Sequence, residues 1–341
     1  MPVVKANAYG HGEVQTAKAL IRQGVSRLAV FSVDEGITLR QAGINAPIVV
    51  LGPLFLEQLG DLLAHQLTPV VGDAAILPAL AQAAASVPTP YPIHLKIETG
   101  MGRLGIDSHE FTSLFTSRSI PGSLHIEGLM THLADADGPT TAQTEKQLAR
   151  FRNAIEIITK AGFRVPLIHA ANSAGAVRFP EAQFSLVRPG IMLYGYHTLP
   201  ASVPVPDLKP VLSLRTTIAQ VRTVQPGHKI SYSGTFTAKR VTKIAVLPIG
   251  YADGVSRHLS NRGSVLIHGQ RAPITGIVCM DMIMVDVTGI AGAAVGDEAV
   301  LIGRQGNEQI TAADIAQWTG TIPYEILCAI GPRVPRQYLS A

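Results

Sequence analysis

Cysteine is scarce in this chain: 341 residues contain two, Cys279 and Cys328. Two thiols cannot build a disulfide framework, and both lie in apolar runs that suit reduced side chains, so a reducing cytoplasm is the expected compartment. Charge is also thin, with Asp, Glu, Lys and Arg at 15% of the residues and 28 basic against 24 acidic side chains, a net +4. The surplus forms no basic run and has no interleaved aromatics, so nucleic acid is not an expected partner. Long apolar runs are missing too. The longest, 46–56, is broken by Gly52 and Pro53 and is much too short to span a bilayer, so no membrane partner is expected. The opening Met-Pro-Val-Val-Lys has no basic segment followed by an apolar one, and no secretory signal is expected. No metal-ligand spacing, Gly-x-Ser-x-Gly elbow or dinucleotide fingerprint occurs, and the histidines are dispersed.

What is present is apolar material in a regular rhythm. Hydrophobic residues make up 47% of the chain, enough for a large core, and the length fits two domains or a barrel with an extension. Up to about residue 190, short apolar runs alternate with helical patterns, the signature of βαβ units. Strands are expected at 2–5, 28–33, 47–51, 68–71, 93–98, 125–131, 167–169 and 184–188. Eight parallel strands with helices between them predict an α/β fold, a (β/α)8 TIM-like barrel. Helical spacing supports 13–23, 57–65 and 140–161, whereas 194–210, rich in proline, does not read as a helix, so one outer helix is missing. After Pro204, Pro206 and Pro210 the pattern changes to alternation at 212–221, 244–249, 264–267, 283–287 and 299–302, so a mainly β C-terminal domain is expected. The domains are placed at 1–205 and 211–341.

The strand ends carry the chemistry. Val3-Val4-Lys5-Ala6-Asn7-Ala8-Tyr9-Gly10-His11-Gly12 puts Lys5 at the C-terminal lip of a strand, where α/β folds keep their sites. Apolar flanks make it a candidate for the lowered pKa that Schiff-base lysines need. Lys96 and Glu98 end another strand, followed by Thr99-Gly100-Met101-Gly102-Arg103, a loop flexible enough to bring Arg103 over the mouth. His132, Asn172-Ser173 and Arg188-Pro189-Gly190-Ile191 follow three further strands. Singly, Arg188 reads as an exposed salt-bridge partner, His132 as a core histidine and Ser173 as a helix cap. Together they describe a cationic pocket for an anionic guest, with Ser173 and the Gly190-Ile191 backbone suited to phosphate and Tyr9 able to add a hydroxyl. In the β domain, Gly250-Tyr251-Ala252-Asp253-Gly254 would project Tyr251 from a tight turn as a proton donor or acceptor. Cys279-Met280-Asp281 is a weaker signal, since Met and Cys usually fill cores.

These segments in this order, with Pro323-Tyr324-Glu325 near the end, resemble the alanine racemases, a family of fold type III pyridoxal-phosphate enzymes. The resemblance runs from the first residues to Arg336. It implies interconversion of L- and D-alanine by a two-base mechanism, supplying D-alanine for peptidoglycan. Lys5 would hold pyridoxal 5'-phosphate and serve one face of the substrate, and Tyr251, donated with Met280 by the partner in a homodimer, would serve the other. Arg188 would face the pyridine nitrogen, and His132 would bridge Arg188 and Tyr251. Tyr9, Ser173, Gly190, Ile191 and Tyr324 match the phosphate cradle. Arg103 and the Met280 backbone match groups that bind the substrate carboxylate, and Lys96 matches a lysine carbamylated in some members. Family members carry a strand and a barrel-closing helix before the lysine strand. The chain as given is therefore expected to lack its closing helix and to fold poorly.

The alternatives are a fold type III amino-acid decarboxylase, a pyridoxal-phosphate carrier and an inactive cofactor-binding protein. Arg188 argues against the first, since decarboxylases of this class pair the ring nitrogen with a carboxylate. The β domain with Tyr251 argues against the second.

Overall fold

Short runs of aliphatic and β-branched residues build the first half of the chain. The computed structural model describes residues 1–87 and 90–339. Here β1 (Leu28–Val30), β2 (Ile48–Val50), β3 (Thr68–Val71), β4 (Tyr91–Lys96), β5 (Leu124–Met130) and β6 (Leu167–His169) pair in sequence order, all parallel. Leu28, Ala29, Ile48, Val49 and Leu95 are fully buried, as expected of strands covered on both faces. Helix Glu13–Arg22 precedes β1, and helices Val33–Gln41, Leu59–Ala64, Leu77–Ala83, Ser108–Thr116 and Ala142–Lys160 lie between the strands in sequence. Their ends are specified locally. Ser32 and Glu35 form a reciprocal capping box for Val33–Gln41, and the Asp107 carboxylate caps Ser108–Thr116. Ala142–Lys160 buries Leu148, Phe151, Ala154 and Ile158, a single stripe at helical spacing.

Two of the eight expected strands do not form ladders. Segment 2–5 makes one bridge, Val3 to Ala29, with Val4 N donating to Ala29 O at 2.8 Å and Ala29 N to Pro2 O at 2.9 Å. Segment 184–188 is held by single bonds: Ser185 N to Ile168 O at 3.1 Å and Arg188 N to Ala171 O at 2.9 Å. Val3 N donates to Pro189 O at 2.9 Å, so the two segments complete a hydrogen-bonded ring between β6 and β1. Pro2 and Pro189 have no N–H to extend a ladder, and Phe184 sits at φ 44, outside extended backbone. The TIM-like barrel is thus a curled sheet of six strands closed by two irregular segments. No helix occurs at 195–213, in line with the irregular reading of that stretch.

Beyond Val4 the expected small-residue loop takes an unusual form. Ala6, Asn7, Ala8 and Tyr9 have φ of 52, 52, 52 and 53°, a left-handed turn. Each non-glycine residue there costs roughly 1–2 kcal/mol. The turn is held by Ala8 N to Val4 O and Gly12 N to Asn7 O, both 2.9 Å, and by Ala6 N to the Glu35 carboxylate at 2.7 Å.

The structure divides into two compact units, Met1–Ala8, Gly12–Leu193 and His197–Asp207 in one, Tyr9–His11, Tyr194–Tyr196 and Leu208–Ala341 in the other. Residues 340–341 of the expected second domain lie outside the described residues. The second unit is antiparallel. Its strands are β7 (Leu214–Thr217), β8 (Gln220–Val224), β9 (Lys229–Ile230), β10 (Phe236–Thr237), β11 (Thr242–Leu247), β12 (Ser264–Ile267), β13 (Gln270–Pro273), β14 (Ile283–Asp286), β15 (Glu298–Gln305) and β16 (Glu308–Ile310). One sheet runs β14-β11-β8, another β13-β12-β15-β16 with β7 also on β15, and β9 and β10 pair alone. The single expected run 212–221 splits because the chain changes sheets: Ile218 N bonds Asp297 O beside β15, and Ala219 N bonds Val246 O in β11, both at 2.9 Å. Helices Ala312–Thr319, capped by Thr311 and Asp314, and Pro323–Cys328 follow.

Candidate active site

In the first unit, the strand ends bring Lys5, Lys96, His132 and Arg188 into one electrostatic cluster. Lys96 is 5% exposed at the end of β4. Burial lowers its pKa to about 8, and Arg103, Arg188 and Lys5 add to the effect against the opposing pull of Glu98. Burial pushes His132 well below the ordinary imidazole range, with Arg188, Lys96, Arg103 and Lys5 contributing, so this ring is neutral at physiological pH. The Lys5 ammonium lies 5.9 Å from the centre of the Phe31 ring, within cation–π range.

Arg188 is not the exposed salt-bridge partner that its sequence context allows; it is 3% exposed. Burial lowers its pKa to about 9, which still leaves the guanidinium charged at neutral pH. Its terminal nitrogens donate to His169 O at 2.9 Å, Thr131 O at 2.7 Å, Ala170 O at 2.9 Å and His169 Nδ1 at 2.8 Å, with His132 Nδ1 at 3.5 Å. A planar fork held by three carbonyl oxygens has a fixed orientation.

Ser173 is not the helix cap. Asn172 caps helix Ser173–Arg178 by accepting Gly175 N at 2.8 Å. Ser173, the first helical residue, instead accepts Gly190 N at 2.8 Å, with Met192 N at 3.5 Å. This ties the end of β6 to the Gly190-Ile191 turn, and both of those residues are buried.

The second unit holds Tyr9, Tyr324, Tyr251 and Met280. The Tyr9 ring packs 5.0 Å from Tyr194 and 5.9 Å from Tyr324. Gly10 lies so close to helix Pro323–Cys328 that a Cβ there would overlap Leu327 O, which requires glycine. Tyr251 projects, 44% exposed, from a turn in which Asp253 Oδ2 accepts Gly250 N at 2.9 Å. Tyr251 N bonds Cys279 O and Ala252 N bonds Met280 O, both at 3.0 Å, so this turn and Met280 form one piece. Arg333 clamps it, with contacts of 3.2 Å to Asp253 and 2.9 Å to Asp281.

Two features escaped the sequence reading. Glu98 does not reach outward but folds into its own loop, taking N–H groups from Gly100, Met101, Gly102 and Arg103. The dispersed histidines hide a chain of contacts: His169 Nε2 to His94 Nδ1 at 2.9 Å, His94 Nε2 to Glu127 Oε2 at 3.2 Å, and Glu127 Oε1 to Arg27 at 3.3 Å. The available signal was period two in β4, which places His94 on the same face as Lys96.

A curled parallel sheet that gathers lysines, a buried arginine and a neutral histidine at its strand ends, in a chain that continues into a β domain, defines an α/β-barrel enzyme of the fold type III class. The chain belongs to the alanine racemase family. Residues 1–198 match the family profile "Alanine racemase, N-terminal domain" and 211–338 match "Alanine racemase, C-terminal domain". It is 45% identical to the alanine racemase of Halothermothrix orenii over 338 residues, 99% of this chain and 89% of that one. Among solved structures it is similar to Bacillus anthracis alanine racemase with bound L-Ala-P, with TM-score 0.92, 37% identity, and coverage of 99% of this chain and 88% of the other. It is also similar to Bartonella henselae alanine racemase with covalently bound pyridoxal phosphate, with TM-score 0.90, 30% identity, and coverage of 99% and 92%.

Proposed function

We propose that this chain interconverts L- and D-alanine using pyridoxal 5'-phosphate, with Lys5 and Tyr251 acting on opposite faces of the substrate Cα. The observation that carries the proposal is the cation cluster of Lys5, Lys96, Arg103 and Arg188 around His132. Its nearby carboxylate, Glu98, is taken up by backbone N–H groups of its own loop. Such a field suits a guest with a phosphate and a carboxylate, and the donor set therefore fits the cofactor. The covalently bound pyridoxal phosphate of the Bartonella henselae relative supports the same reading.

When bound, pyridoxal phosphate supplies an electrophilic carbon for the amino group and a conjugated ring that accepts electron density as Cα loses its proton. Lys5 would hold it covalently and then move a proton at Nζ. Tyr251, supplied by the partner in a homodimer together with Met280, would hold the proton of the other face at its phenolic oxygen. Inversion needs both, because a proton leaves one face and another returns to the opposite one. Arg188 donates and cannot accept, so it would leave a ring nitrogen that it faced largely unprotonated and would restrain the ring as an electron sink. His132, beside Arg188, would connect it with Tyr251.

Tyr9, Ser173, Gly190, Ile191 and Tyr324 would cradle the phosphate. Arg103, positioned by a carbamylated Lys96, and the Met280 backbone would bind the substrate carboxylate. The barrel at 1–205 is assigned to the cofactor and the domain at 211–341 to the second base. The setting is cytoplasmic, and the product is D-alanine for peptidoglycan. Among the described residues no helix is long and apolar enough to cross a membrane.

The test is to incubate the purified chain with pyridoxal phosphate, treat it with borohydride, map the modified residue by mass spectrometry and assay D-alanine formed from L-alanine. Modification at Lys5 with racemisation is expected. Modification elsewhere, or none, overturns the assignment.

A further inference from the structure

Arg188 is a donor at every nitrogen, and this fixes the protons of everything beyond it. Its NH1 lies 2.8 Å from His169 Nδ1, so that nitrogen must be bare and accepting. The His169 proton is then on Nε2, 2.9 Å from His94 Nδ1, which must in turn accept. That leaves the His94 proton on Nε2, directed at Glu127 Oε2 3.2 Å away. Protonating either ring would set N–H against N–H at one of these short contacts.

We propose that Arg188, His169, His94 and Glu127 form a one-directional hydrogen-bond relay, in which both histidines are neutral Nε2–H tautomers and His94, His169 and Glu127 are positioning residues for Arg188. The functional part rests on the reading that Arg188 faces the cofactor ring.

Burial supports the relay. His94 and His169 are fully buried and Arg188 is 3% exposed, while Glu127, about a quarter exposed, anchors the far end and meets Arg27. The groups that face the two rings are Glu127, Arg27, Arg188, the Met1 amino group and the rings themselves. Burial first, then these cations, disfavours an imidazolium at either ring; at His94, Glu127 opposes without reversing the effect. The buried guanidinium therefore has a carboxylate as its counterion at a distance of two rings. Neutral imidazoles polarised between a cation and an anion strengthen each bond in the series. Shape reinforces the geometry: a Cβ on Gly128 would overlap the His94 ring, so the glycine in β5 is the seat on which that ring lies.

The test uses the full chain labelled with 15N-histidine, with pyridoxal phosphate and again without it, read by long-range 1H–15N correlation. His94 and His169 should both show a pyrrole-type Nε2 and a pyridine-type Nδ1 at neutral pH, in either state. A proton on Nδ1 of either ring, or an imidazolium pattern, overturns the relay. Glu127→Gln keeps an acceptor but removes the anion, so the tautomers set from Arg188 should persist while the polarisation of the series and the counterion of the guanidinium are lost. In the loaded variant kcat should fall about 10-fold or more with KM for alanine little changed, as expected when an outer partner of a catalytic group is altered. Wild-type kcat in Glu127→Gln would also overturn the proposal. If the wild-type chain shows both tautomers but no racemisation, the functional reading fails and the relay stands.

Discussion

The carboxylate of Glu98 accepts the backbone N–H of Met101 at 2.6 Å, and the loop that presents Arg103 is wrapped around that one side chain. Burial alone would raise the Glu98 pKa, but N–H groups from Gly102, Gly100, Met101 and Arg103 outweigh it and the net shift is downward. A lowered folded-state pKa means that the loop's stabilisation is present above the ordinary carboxylate range and is lost as pH falls through the folded value. Glu98→Ala should speed amide exchange at 100–103 and raise KM for alanine about 10-fold, the scale of charge-assisted hydrogen bonds. Glu98→Gln should abolish the loss of loop protection that accompanies protonation of the carboxylate. Wild-type exchange rates in Glu98→Ala would show that something else holds the loop.

Lys96, with its pKa lowered to about 8, carries more neutral amine at neutral pH than an ordinary lysine, and a neutral amine is what reacts with carbon dioxide. The carbamate signal in 13C-bicarbonate NMR should therefore grow as pH rises through 8 and vanish in Lys96→Gln. The unfolded chain holds this proton up to the ordinary lysine value, so the unmodified side chain makes stability rise with pH between the two values. A wild-type spectrum without the signal at alkaline pH would remove the carbamate from the site.

For Tyr251, loss of the hydroxyl should separate chemistry from binding. Tyr251→Phe is expected to lower racemisation by about 100-fold or more, the scale of general acid–base catalysis, while leaving borohydride-fixed cofactor at Lys5. Arg333→Ala should weaken turnover several-fold by freeing Asp253 and Asp281, with little change in Tm because Arg333 and Asp281 are half exposed and screened and the buried Asp253 keeps its bond from Gly250 N. Normal alanine turnover in Tyr251→Phe would reject the two-base assignment.

Gly128→Ala tests the packing under His94. The added methyl runs into the ring with no flexible neighbour to yield, so the variant should lose about 1–3 kcal/mol in urea unfolding. An unchanged midpoint would mean that the ring can move aside.

Much of the barrel was legible because its strands are short apolar runs such as Ile48-Val49-Val50, for which burial on both faces is the available solution. Val3-Val4 read the same way, yet it forms a single bridge, since a proline neighbour and a left-handed turn limit its pairing. The capping role read for Ser173 belongs to the residue before it. Its neighbour Asn172 is an equally good cap, and which of the two is used depends on the distant Gly190 N–H. The network beyond Arg188 was not legible. His94, Glu127 and His169 are far apart in sequence, and only strand pairing brings them together.

The four left-handed residues after Lys5 also make the position of its side chain depend on distant parts of the chain. Their combined cost of roughly 4–8 kcal/mol rivals the whole net stability of a typical protein, about 5–15 kcal/mol. A turn of this kind cannot nucleate by itself. It is held by Glu35 of helix Val33–Gln41, which accepts Ala6 N, and by β1, which accepts Val4 N. The place of Lys5 is thus borrowed from contacts far along the chain: a change that loosens Glu35 or β1 would displace this side chain without touching it.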